Sequence, residues 1–168
     1  KEINDIYAQA IVKWDVMVQP NFEVESEYIT DMDSENSSWL SAFPDKMKVF
    51  NRLYRQENHV DRDAYYIFII PGTASSRKGF MPFKRKYGYI FTDNVSNHEL
   101  AKTIAHELGH GAFRLRHTFS SEQYMAQQGQ TNNLMDYSDG VHLKKYQWDG
   151  IRHPDAMVAW LEEDEETA

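Results

Sequence analysis

The chain has 168 residues, and 41% of them are hydrophobic, which is enough for one core of ordinary domain size. Its net charge of −8 disfavours a nucleic-acid partner, and no apolar run approaches the roughly 20 residues that span a bilayer. The absence of cysteine excludes disulfides, thiolate metal ligands and a cysteine nucleophile. We expect one domain over residues 1–161, followed by an acidic tail over residues 162–168.

The N-terminal third predicts two helices with extended chain and a loop between them. Apolar residues over 3–12 recur at helical spacing, which predicts the first helix. The apolar content of residues 16–18 and 22–24 indicates a short strand or a strand pair. The acidic, serine-rich run 29–38 predicts a loop, and large apolar residues after it predict a second helix over about 38–56.

Two apolar runs further along the chain have the composition of strands. Residues 65–70 are continuously β-branched or aromatic and are closed by Pro71, which predicts a central buried strand. Residues 87–92 predict another strand, and residues 154–161 predict a C-terminal helix that packs on the core. The order of these elements predicts a mixed α/β (α+β) fold.

The sequence His106-Glu107-Leu108-Gly109-His110 predicts a metal site on a helix. Histidines four residues apart lie on one face of a helix, where both imidazoles reach one metal ion. Glu107 is then placed to activate a metal-bound water. This spacing is typical of the active sites of zinc peptidases.

The residues around this motif favour a helix. Ser96 and Glu99 fit a capping box at its start. The apolar residues that would face the core recur at every fourth position: Leu100, Ile104 and Leu108. Gly111 is placed to take the left-handed conformation that ends a helix, and a turn there would let His117 return to the metal.

The third metal ligand must lie outside the motif, because a catalytic zinc ion takes three protein ligands and keeps one open position. We predict one zinc ion bound by His106, His110 and His117. The competing third ligands that lie close in sequence are Asp136, His142, His98 and Glu122. Asp136 in particular stays open as the alternative to His117.

Residues 106–117, together with the downstream run Asn133-Leu134-Met135-Asp136-Tyr137, resemble the metzincin clan of zinc metallopeptidases. Members of that clan carry H-E-x-x-H-x-x-G-x-x-H and a later turn that contains methionine. This chain departs from the pattern at two points. His117 follows His106 by eleven residues rather than ten, and Phe113 stands where the clan usually has glycine.

The resemblance implies a metzincin-like fold, in which a twisted mixed sheet places an edge strand beside the active-site helix. Residues 88–92 are the candidate edge, along which a peptide substrate would add as a further strand. The resemblance also implies that Met135 packs beneath the metal ligands and that Tyr137 donates a hydrogen bond to the oxyanion formed in the reaction.

These residues predict a zinc-dependent endopeptidase that cleaves peptide or protein substrates with a zinc-bound water activated by Glu107. Two alternatives stay open. One is a catalytically inactive zinc-binding interaction module, and the other is a peptidase toxin or effector domain with a cognate immunity or inhibitor protein.

The sequence also indicates the source of the protein and the place where it acts. Residues 133–148 show a weaker resemblance to metallopeptidase domains at the C-termini of large bacterial secreted proteins, including polymorphic toxins. Together with the lack of cysteine, this favours a soluble bacterial protein that is secreted or delivered. Because the chain begins with Lys1, we expect a processed product or a fragment of a longer protein.

Overall fold

The computed structural model of the protein describes residues 1–30, 32, 43–71, 77–92, 95–120 and 126–153. Within these ranges the chain forms four α-helices and one sheet of three strands. Their bounds are α1 Glu2–Tyr7, α2 Asp45–Glu57, β1 Tyr66–Pro71, β2 Gly79–Phe80, β3 Tyr87–Thr92, α3 Asn97–Phe113 and α4 Lys145–Arg152. The fold is therefore mixed α and β, as the order of the predicted elements indicated.

The first two helices lie where the apolar spacing predicts them, with corrected ends. α1 continues as a 3-10 turn over Ala8–Ala10, which confirms the helical spacing over residues 3–12. α2 begins at Asp45 rather than near residue 38, because Pro44 has an extended ψ of 158° and precedes the helix as its N-cap. Residues 38–42 lie outside the described ranges.

The strand pair predicted over residues 16–24 is wrong, since the described chain has no strand there. Val16 and Val18 are 56% and 94% exposed. Phe22 packs instead on α2, with its ring centroid 5.5 Å from that of Phe50 and 5.2 Å from that of Tyr54. A β-branched composition makes a strand only where a neighbouring strand and a buried face are available.

The C-terminal part of the described chain contains one helix that the sequence patterns did not predict. α4 begins where the side chain of Gln147 accepts the backbone N–H of Lys144 at 2.7 Å, and Ile151 is its buried apolar residue. The helix predicted over residues 154–161 and the acidic tail lie outside the described residues, as does most of the loop predicted over 29–38.

The strand order β1-β3-β2 corrects two predictions about the sheet. β3 pairs in parallel with β1 and antiparallel with β2, so residues 88–92 are the middle of the sheet and not its edge. Among the described residues, β1 is an outer strand of the sheet rather than the central one, and its Ile69 is 49% exposed. The outer strand beside the motif helix is β2, whose two residues are too few to give a sequence signal.

Two apolar clusters enclose the sheet. Alternate residues of β3 point to opposite faces, and Tyr89 and Phe91 pack with Phe50 of α2 in one cluster. The other cluster joins α1, α3 and α4 through residues such as Tyr7, Leu108 and Ile151. This arrangement fixes α3 between the N-terminal helix and the sheet. Within the described ranges, no helix combines the length and the apolar character that a membrane crossing requires.

Candidate metal centre

The motif lies on α3, whose start is set by Ser96. The Ser96 Oγ accepts the backbone N–H of Glu99 at 3.1 Å, which is one half of the predicted capping box. The Glu99 carboxylate binds Lys78 at 2.6 Å, just before β2. The start of α3 is thereby tied to the outer strand of the sheet.

The end of α3 differs from the prediction, because Gly111 is helical and does not make the turn. The left-handed residue is Arg114, with φ 57°, and the N–H of Leu115 bonds to the carbonyl of Gly109 at 2.9 Å. Gly111 is required for another reason. A Cβ on Gly111 would lie only 2.5 Å from the sulfur of Met81, so a larger residue would clash with the core. The turn at Arg114 accommodates the extra residue before His117.

The structure brings His106, His110 and His117 together. Their Nε2 atoms lie 3.1 Å apart for the two pairs that include His110 and 3.2 Å apart for the third pair. Ligands at 2.0–2.1 Å in tetrahedral directions around one ion stand about 3.3 Å apart. The three nitrogens therefore have the spacing of three corners of a metal coordination shell, and they can hold one metal ion.

The second ring nitrogens of two of these histidines are held by backbone carbonyls. The Nδ1 of His106 donates to the carbonyl of Leu134 at 2.8 Å, and the Nδ1 of His110 donates to that of Leu115 at 2.6 Å. These bonds fix the tautomer that leaves the Nε2 lone pair available to a metal. Burial lowers the pKa of His106 to about 4 and that of His110 well below its usual value, so both rings are neutral at pH 7 in the metal-free protein.

His117 is held by aromatic contacts. Its ring is stacked on Phe119 at 4.9 Å with an interplanar angle of 5°, and it meets the ring of Tyr137 edge-on at 4.9 Å. Burial lowers its pKa to about 4 as well. Phe119 was not among the predicted site residues, because a single aromatic residue after the motif carries no recognisable signal.

The rival third ligands lie elsewhere or are engaged. The carboxylate of Asp136 accepts the N–H groups of Gly129, Thr131 and Tyr137 at 2.7 to 2.8 Å and the Thr131 hydroxyl at 2.7 Å. This carboxylate shapes the loop after the motif, in which both of its oxygens are occupied.

Two other rival ligands are solvent-exposed histidines, and the remaining rival, a glutamate, lies outside the described residues. His98 pairs with Glu2 at 3.0 Å at the far end of α3. His142 is exposed, and its backbone forms a bridge with Asn133. Glu122 lies outside the described residues. Among the described residues, the histidine cluster thus has His117 as its third member.

Glu107 is buried between α3 and β2, with 6% of its surface exposed. A Cβ added to Gly79 would stand 2.5 Å from its Oε1, so only glycine at that position leaves room for the carboxylate. The backbone N–H of Met81 donates to the carboxylate. Burial nevertheless raises the pKa of Glu107 to about 8, although the Met81 hydrogen bond and the charge of Arg77 act in the opposite direction.

Met135 is fully buried beneath α3. Its sulfur would lie 2.7 Å from a Cβ on Gly109, which explains the glycine between the two motif histidines. The side chain of Asn133 accepts the N–H of Met135 at 2.9 Å, and the carbonyl of Met135 accepts the N–H of Thr118 at 3.2 Å. The methionine turn is therefore fastened to the segment that carries His117.

Tyr137 lies at the exposed side of the cluster. Its ring centroid is 4.9 Å from that of His117 and 6.1 Å from that of His106, and the residue is 60% exposed. Partial burial and the charge of Glu107 raise the pKa of its hydroxyl, so the phenol is protonated and can donate a hydrogen bond at neutral pH.

Comparison with known proteins gives no relative from which a role could be transferred. No protein-family model, curated protein or solved structure matches the chain. The chemistry of the site has to be inferred from its own geometry.

Proposed function

We propose that the protein is a zinc-dependent endopeptidase of the metzincin type, with zinc bound by His106, His110 and His117. The observation that carries this proposal is the mutual spacing of 3.1 to 3.2 Å between the three Nε2 atoms, with Glu107 on the same helix. Three neutral imidazoles are a donor set that suits zinc, and three protein ligands leave a position for reaction.

Zinc in such a site supplies Lewis-acid chemistry, because it lowers the pKa of a water molecule towards 7 and polarises a carbonyl group. The protein contributes the placement of its own groups around that chemistry. Glu107 is the proposed general base, and its carboxylate is held in place by the N–H of Met81 and by the close backbone of Gly79. A bound zinc ion would lower the raised pKa of this carboxyl, so Glu107 would be ionised in the zinc-loaded protein. It would then take the proton of the attacking water and return it to the leaving amine.

Tyr137 is the proposed hydrogen-bond donor to the oxyanion. Its ring lies beside two of the three histidines. Its hydroxyl is protonated at neutral pH, as for any tyrosine, and partial burial raises its pKa further. Its exposure of 60% leaves it free to meet a substrate at the open side of the cluster.

Because β3 is the middle strand of the sheet, the proposed substrate edge is β2 and not β3. β2 is the outer strand in the described sheet, and its Gly79 contacts the carboxylate of Glu107. A peptide that pairs with this edge would run next to the general base, and main-chain hydrogen bonds would hold it there.

The test uses Glu107→Gln, with Glu57→Gln at the exposed end of α2 as the matched control. Glutamine keeps the shape of the side chain but does not accept the proton, so hydrolysis of a broad peptide library should fall about 10²–10⁴-fold at unchanged zinc content. Glu57→Gln should retain activity. A zinc-loaded wild-type protein that cleaves no peptide in the library would instead support the interaction-module alternative.

A further inference from the structure

A buried pair of side-chain amides joins α4 to the turn that contains Met135. Asn133 and Gln147 each have no more than 1% of their surface exposed. The Nδ2 of Asn133 donates to the Oε1 of Gln147 at 2.8 Å, and the Nε2 of Gln147 donates to the Oδ1 of Asn133 at 3.0 Å. Because Gln147 lies in the first turn of α4, these two bonds tie the helix to the methionine turn.

Backbone donors fix the direction in which each amide faces. The Oε1 of Gln147 also accepts the N–H of Lys144 at 2.7 Å, and the Oδ1 of Asn133 also accepts the N–H of Met135 at 2.9 Å. A backbone N–H needs an acceptor, and the oxygen is the only acceptor of an amide side chain. Turning either amide over would place donors against donors, so the pair has one arrangement.

The amide pair reaches His106 through one peptide group. The N–H that Asn133 accepts belongs to the peptide bond between Leu134 and Met135. The carbonyl of the same peptide bond accepts the Nδ1–H of His106 at 2.8 Å. The peptide group is therefore held at both ends, by the amide of Asn133 on one side and by the ring of His106 on the other.

These hydrogen bonds act on the metal-facing nitrogen of His106. Hydrogen bonds in series polarise one another, so a peptide group whose N–H is bound is a stronger acceptor at its carbonyl. A strong acceptor at Nδ1 fixes the orientation of the ring and raises the basicity of Nε2. Gln147 contributes because it accepts from the Nδ2 of Asn133, which orients that amide and strengthens its oxygen as an acceptor.

His110 gives an internal comparison. Its Nδ1 donates to the carbonyl of Leu115 at 2.6 Å, in the turn that ends α3. In the described chain, the hydrogen bonds of Asn133 and Gln147 go to each other and to residues other than Leu115. A disturbance of the amide pair should therefore affect His106 and not His110.

We propose that Gln147 is a positioning residue of the metal centre: through Asn133 it orients the carbonyl that bonds to His106, and it thereby raises the zinc affinity of the site. This inference rests on the proposed function, because it concerns the same zinc site, but it does not depend on hydrolysis. It gives α4, which carries none of the proposed ligands, a part in metal binding.

The experiment compares the wild-type chain with Gln147→Met, which keeps the length of the side chain but removes its donor and its acceptor. Zinc dissociation constants are measured by competition with a chromophoric chelator. NMR of the zinc-loaded protein, labelled with ¹⁵N-histidine, follows the Nδ1–H signals of His106 and His110. Ile151→Val is the control, because it shortens a buried residue of α4 that takes no part in the amide hydrogen bonds.

Gln147→Met should raise the zinc dissociation constant about tenfold or more, as expected for a group that orients a metal ligand. The His106 signal should move upfield because its hydrogen bond weakens, and the His110 signal should keep its position. Ile151→Val should lower the midpoint of urea unfolding but leave the zinc affinity and both signals unchanged. A purely structural role of Gln147 would not separate the two histidines in this way.

A double variant, Asn133→Leu with Gln147→Met, keeps the test decisive if Gln147→Met alone does not fold. It replaces both amides with apolar side chains of similar size, which is less costly than leaving one amide without its partner. Its zinc dissociation constant should rise about ten- to hundredfold, because the peptide group that bonds to His106 has then lost the acceptor for its N–H.

Wild-type zinc affinity in folded Gln147→Met or in the double variant would overturn the inference, as would equal shifts of the two histidine signals. The outcome is separable from that of the proposed function. Weaker zinc binding by these variants, with no hydrolysis by the zinc-loaded wild type, would support the positioning role and reject the peptidase. Hydrolysis by the wild type, with unchanged zinc affinity in the variants, would support the peptidase and reject the positioning role.

Discussion

Gly79→Ala should disable the proposed general base without removing any functional group. The added Cβ would stand 2.5 Å from the Oε1 of Glu107, 2.8 Å from its Cγ and 2.9 Å from its Cδ. Ordinary van der Waals contact begins at 3.4 Å, so the Oε1 would have to retreat by about 0.9 Å. A misplacement of roughly 1 Å in an active site costs on the order of 10²-fold in rate.

The assay is peptide hydrolysis with zinc content and thermal unfolding measured on the same samples. We expect kcat/KM to fall by about 10²-fold while zinc stoichiometry and a cooperative thermal transition are retained, because the clash is with a side chain that can rotate. The effect should act through Glu107 alone. In the Glu107→Gln background, Gly79→Ala should therefore add little further loss. Full activity in Gly79→Ala, or fully additive losses in the double variant, would refute this reasoning.

Three further predictions concern the surroundings of the metal centre. Gly111→Ala should lower the free energy of unfolding by about 1–3 kcal/mol in denaturant titrations, because its Cβ would lie 2.5 Å from the sulfur of Met81; an unchanged midpoint would contradict the packing. Phe119→Leu should raise the zinc dissociation constant about two- to tenfold in chelator competition, since the stacked ring that orients His117 is lost. In the metal-free protein, burial raises the pKa of Glu107 to about 8, above its unfolded value. The native state then keeps a proton on Glu107 that the unfolded chain has lost. The free energy of unfolding should therefore fall as pH rises from about 6.5 to 8, by at most about 1.4 kcal/mol per pH unit. Glu107→Gln should flatten the pH profile of urea unfolding in that window, and an unchanged slope would count against the buried carboxylate.

The histidine cluster could be anticipated from sequence because the information is local. His106, Glu107 and His110 share one helix, and the serine N-cap that starts this helix is a short-range signal. The prediction that Gly111 makes the turn that brings His117 back is wrong. Gly111 suits a left-handed turn in isolation, but its backbone is helical and Arg114 makes the turn. The structure needs glycine at 111 because the side chain of Met81 occupies the space where a Cβ would lie.

The sheet edge was less accessible to sequence reasoning because strand order depends on long-range pairing. Residues 65–70 and 87–92 were both identified as strands, but their composition does not say which has neighbours on both sides. The deciding element is β2, which has two residues and no periodicity. Gly79 and Met81 hold Glu107 in place. Their role could not be predicted from sequence, because they lie in or next to this short strand.

The most direct test of the central proposal is a structure of the zinc-loaded protein, with metal analysis of the same preparation. We predict one zinc ion per chain, bound by Nε2 atoms of His106, His110 and His117 at about 2.0 to 2.1 Å, with the fourth position open to water or an inhibitor. His117→Ala should then lose zinc, whereas the exposed histidine variant His98→Ala should retain it. A site closed by four protein side chains, or zinc-replete protein without metal at this cluster, would contradict the account.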